Sequence, residues 1–81
     1  MLSMAKQKDH LAETNRHIAQ TETQIARQRT LIEQRARSGD PVNLAVALLR
    51  ALEDALETFE EHRALILKQH KRLPRPRSPR T

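Results

Sequence analysis

A seven-residue apolar repeat, interrupted once, constrains this chain more than any other feature. From Ser3 the sequence divides in register into SMAKQKD, HLAETNR, HIAQTET, QIARQRT and LIEQRAR. The second position of each block is Met4, Leu11, Ile18, Ile25 or Ile32, and the third is Ala in the first four. A stripe at this interval returns to one face of a helix and is the seam of a coiled coil. Beyond Gly39, Asp40 and Pro41 a second stripe runs at the same interval through Ala45, Leu52, Phe59, Ile66 and Leu73. The residue numbers of opposed layers sum to 77 throughout, from Ile32 with Ala45 to Met4 with Leu73. Folding the chain back at residues 38 and 39 sets every layer against its mate. The expected fold is therefore all-α, an antiparallel two-helix coiled-coil hairpin. Its seam is Leu11, Ile18, Ile25 and Ile32 against Ala45, Phe59 and Ile66.

The hairpin occupies residues 1–73, with the first helix over about 3–37, a turn at 38–40 and the second helix over about 41–72. Gln, Arg, Ala and Glu, all good helix formers, fill the first helix. Arg35 and Arg37 in its last turn suit the helix dipole, and Gly39 is placed to take the left-handed conformation that ends it. Asp40 then reads as an N-cap and Pro41 as the first residue of the second helix. Pro74, Pro76 and Pro79 forbid continuation, leaving 74–81 as a disordered Pro/Arg tail.

The two helices offer unequal apolar surface. Between its aliphatic layers the first helix places Gln7, Thr14, Thr21, Gln28 and Arg35 toward His70, Arg63, Leu56, Leu49 and Val42, so alternate layers are mixed or polar. In VNLAVALLRAL, residues 42–52, only Asn43 and Arg50 are polar. A helix apolar on nearly all sides is buried on all sides. We therefore expect Val42, Leu44, Leu48, Leu49, Leu52 and Leu56 to form a self-association surface, two hairpins making a homodimeric four-helix bundle. A heterologous helix is the other occupant this face would suit.

Charge adds a hint about the dimer. Glu53, Asp54, Glu57, Glu60 and Glu61 form an acidic block, and Arg27, Arg29, Arg35 and Arg37 a basic one, expected at different heights within one hairpin. A two-fold axis near Ala26 and Ala51 would bring one subunit's acids toward the other's arginines. The net charge of +5 belongs to the C-terminal segment, where Lys68, Lys71, Arg72, Arg75, Arg77 and Arg80 meet no acid. These six residues are the candidate anion-binding tail, and a small nucleic-acid-associated regulator is the alternative function. One Phe and no Trp or Tyr leaves almost nothing to stack on bases.

No motif for catalysis, cofactor or metal is present. His10, Glu13 and His17 share a helix face, but the two imidazoles lie two turns, roughly 10 Å, apart. We read the histidines as seam-edge residues, with His17 near Glu60 and His62 across from Asn15. The absence of cysteine excludes disulfides and thiolate metal sites and suits a reducing compartment. With no signal-peptide run and no membrane-length apolar stretch, the expected location is the cytoplasm.

The run HIAQTETQIARQRTLI, then Gly39, then LLRALEDAL and EHRALIL resembles a group of short helical proteins of alphaproteobacteria, notably rhizobial genomes. The likeness covers residues 10–70 and implies a small bacterial cytoplasmic helical protein, with no activity, ligand or catalytic residue attached. The expected function is a non-enzymatic, homo-oligomeric interaction or scaffold module.

Overall fold

The computed structural model describes residues 4–72, with side-chain surroundings for residues 8–69. Leu73 and the tail, with Arg75, Arg77 and Arg80, lie outside the described residues, as do the side chains of Met4, Gln7, His70, Lys71 and Arg72. The fold is all-α. Among the described residues two helices, α1 (Met4–Arg37) and α2 (Asn43–Arg72), pack against each other as a hairpin.

The turn is built by backbone hydrogen bonds around one glycine. Gly39 has φ 79°, and its N–H donates to the Ala36 carbonyl at 3.1 Å while the Asp40 N–H donates to the Arg35 carbonyl at 2.9 Å. This pair of bonds is the Schellman arrangement, which satisfies carbonyls that α1 would otherwise leave open. It also changes the start of the second helix. The Asp40 N–H still belongs to the end of α1, and helical bonding resumes beyond Pro41. Val42 rather than Asp40 accepts the first bond of α2, from the Val46 N–H at 2.8 Å, so α2 begins at Asn43. Pro41 thus follows α1 as a stop instead of opening α2. An added Cβ at Gly39 would meet nothing within 4 Å, so the cost of Gly39→Ala is purely backbone strain. We expect Gly39→Ala to lose about 1 kcal/mol in denaturant melts, the penalty of a left-handed L-residue.

With α1's isoleucine stripe lettered a in a heptad abcdefg, the α2 stripe of Ala45, Leu52, Phe59 and Ile66 falls at d. Ile18, Ile25 and Ile66 are buried, and Leu11, Ile32, Ala45, Leu52 and Phe59 are half-buried. The polar layers lie inside the seam too, because Thr14, Thr21 and Gln28 are buried. Two of them show how such a layer is tolerated. The Thr21 hydroxyl donates to its own helix at the His17 carbonyl (2.8 Å), an i−4 bond that needs no partner across the seam. Gln28 instead reaches over, its Nε2 donating to the Ala45 carbonyl at 2.9 Å. That bond ties the two helices together one layer above the turn. Among the described residues, three buried isoleucines and no completely enclosed side chain make a thin core.

Candidate interaction surface

The seam has two edges of different chemistry. In an antiparallel pair, e positions face e positions along one edge and g positions face g along the other. The e edge is charged and polar. Arg29 Nη2 donates to Glu53 Oε2 at 3.0 Å, and Arg63 Nη1 donates to the Asn15 Oδ1 at 3.2 Å. The Arg29 and Glu53 side chains are 64% and 42% exposed, so the pair fixes geometry more than it stabilises.

This edge rule corrects three sequence expectations. His17 is at g and Glu60 at e, so they stand on opposite edges; His17 packs on Phe59 instead, with ring centroids 5.2 Å apart. His62 is likewise on the far edge from Asn15, which takes Arg63, and His62 meets His10 edge-on at 6.2 Å. The acidic and basic blocks are not wholly at different heights, since Arg29 and Glu53 pair within one hairpin.

The g edge is a groove whose g positions carry no formal charge. From α1 it receives His10, His17, Gln24 and Leu31, and from α2 Leu48, Ala55, His62 and Gln69, none of them ionic at neutral pH with histidine neutral. Two shallow depressions of about 320 and 300 Å³ open along it and share Gln24 and Leu52. The first is lined by His17, Ala55 and Phe59, and the second by Arg27, Gln28 and Leu48. Apart from the Arg27 guanidinium at the second, their walls are apolar, amide, hydroxyl and imidazole, a surface for packing rather than for chemistry.

The structure divides the expected self-association residues into two groups. Val42, Leu49, Leu52 and Leu56 are half-buried in the hairpin itself, Leu52 in the aliphatic stripe and the other three at the level of the polar layers of α1. Leu44 and Leu48 remain 87% and 50% exposed. Leu65, Leu67 and Leu31, also exposed, did not figure in the expected surface. The missed signal is a second stripe on α2, in alternating steps of four and three: Leu44, Leu48, Ala51, Ala55, Thr58, His62, closing on Leu65. Four of the five exposed large apolar residues among the described ones, all but Leu67, lie on this stripe or beside it across the g edge.

Of the candidate anion-binding residues, Lys68 is described and exposed. Among the described residues no three His, Cys, Asp or Glu side chains gather closely enough to hold a metal ion, and no helix is long and apolar enough to cross a membrane. No family model, curated protein or solved structure matches the chain.

Proposed function

We propose that this chain is a small non-enzymatic interaction module that works as a homo-oligomer, two hairpins forming a four-helix bundle. The observation that carries the reading is a mismatch within α2. Among its described residues the seam buries one large apolar side chain, Ile66, while Leu44, Leu48 and Leu65 stay exposed at 87%, 50% and 58%. A chain this short rarely gains more than 3–5 kcal/mol from its own core, and an uncovered leucine forgoes about 1.5–3 kcal/mol. Covering these residues against another hairpin supplies the missing burial. The cysteine-free sequence suits a reducing compartment such as the cytoplasm.

Sedimentation velocity across a dilution series from millimolar to micromolar chain tests the reading, with helical content followed in parallel. The expected result is a dimer at high concentration that dissociates on dilution into hairpins of lower helicity and lower melting midpoint. A fully helical monomer at every concentration would refute it.

A further inference from the structure

The charge pattern around the hairpin singles out one face for a second copy of the chain. A two-fold interface is isologous, so each patch meets its own copy and like charges near the axis face one another. That requirement disfavours the e edge, where Lys8, Glu22, Arg29, Glu53 and Glu60 alternate in sign and leave local repulsions in most registers. It disfavours the outer face of α2 as well, because Asp54 and Glu61 would confront their own copies. The g edge has neither problem. Its eight positions carry no formal charge, and the adjoining α2 stripe from Leu44 to Leu65 carries none either. On the α1 side of the groove Glu13 and Arg27 flank it with opposite signs, an arrangement an antiparallel second copy can complement.

Size agrees with chemistry. The 30 residues of α2 span about 45 Å at 1.5 Å per residue. With a hairpin cross-section of 18 Å, this face offers about 800 Å² per copy, the share each partner buries in a standard protein interface. The small residues Ala51 and Ala55 sit mid-stripe, between Leu48 and the His62–Leu65 end, and let two backbones approach at the centre while the leucines close over the ends.

Resting on the homo-oligomer reading, we propose that the g-edge groove, walled by His17, Gln24, Leu48 and Ala55 and edged by Arg27, is the surface on which a second copy of this chain docks. Leu44 and Leu65 form its apolar margin on α2, and Leu31 its margin on α1. The charged e edge, with the Arg29–Glu53 pair, faces solvent in the assembly.

Two sets of variants of the full chain test this. Leu48→Lys places an ammonium in the groove, whereas Ala47→Lys places one at an adjacent exposed position on the outer face. In sedimentation equilibrium Leu48→Lys is expected to weaken the dimer roughly a hundredfold, and Ala47→Lys less than threefold. Because Leu48→Lys also risks unfolding a chain that depends on assembly, a second measurement uses single cysteines, which the chain otherwise lacks. The alkylation rate of Leu48→Cys is expected to fall at least about tenfold between dilute and concentrated chain, with Ala47→Cys unchanged. Equal protection at both positions, or protection only at position 47, would overturn the groove assignment while leaving the homo-oligomer intact. A wild-type chain that stays monomeric would instead overturn the homo-oligomer reading itself, leaving the groove to a heterologous helix.

Discussion

Ile25→Ala is expected to leave the chain without a stable hairpin. Ile25 is 5% exposed near the middle of the paired length, and Ile18 and Ile66 are the other buried apolar side chains among the described residues. Truncating a buried isoleucine to alanine costs about 2–5 kcal/mol, the spread reflecting how far the neighbours collapse into the gap. Collapse is restricted here. The flanking layers hold buried Thr21 and Gln28, and Gln28 is anchored to the Ala45 carbonyl across the seam. The loss therefore falls toward the upper part of that range and matches the whole stability a chain of this length derives from its core. Circular dichroism at 25 °C and micromolar concentration should show more than half of the helical signal gone. Leu67→Ala is the companion variant: Leu67 is 41% exposed on the e edge, and its loss is expected to change stability by less than about 0.5 kcal/mol. Equal effects from the two substitutions would show that the isoleucine seam is not the core.

The hairpin was legible because two independent signals agreed. The stripe fixes which face of each helix is apolar, and Gly39 fixes where the chain reverses, so one register brings every aliphatic layer to a mate. The buried polar layer was legible on the same ground: once Ile18, Ile25 and Ile32 define the a positions, Thr21 and Gln28 must stand between them. Contacts at the margins were harder to read, because residue level alone does not say on which edge of the seam a side chain lies. His17 and Glu60 share a level and yet stand on opposite edges, and the same is true of Asn15 and His62. The start of α2 was misread for a different reason. Asp40 has the chemistry of an N-cap, but the first bond of α2 is accepted by the Val42 carbonyl, two residues further on. Local propensity marked the turn correctly and placed the resumption of helix two residues early. The second stripe on α2 was hidden by its small members, since Ala51, Ala55 and Thr58 interrupt the leucines that would have announced it.

Leu49→Glu separates hairpin stability from assembly. Leu49 is half-buried one layer from the turn, at the level of buried Gln28. A glutamate there loses the apolar contact, carries its charge into a partly desolvated seam and stands one helical turn before Glu53, a like-charge spacing that is itself unfavourable. These contributions together amount to about 2–3 kcal/mol of lost hairpin stability. The resulting fall in the melting midpoint is expected at every chain concentration, since the damage lies within one hairpin. Leu44→Glu offers the contrast. Leu44 is 87% exposed, so the isolated hairpin loses almost nothing, and the effect is expected only where chains associate. Melting curves over a hundredfold range of concentration distinguish the two: parallel displacement for Leu49→Glu, and for Leu44→Glu a displacement that disappears on dilution. If Leu49→Glu left the midpoint unchanged while Leu44→Glu lowered it at all concentrations, the division of α2 into a seam face and an assembly face would be reversed.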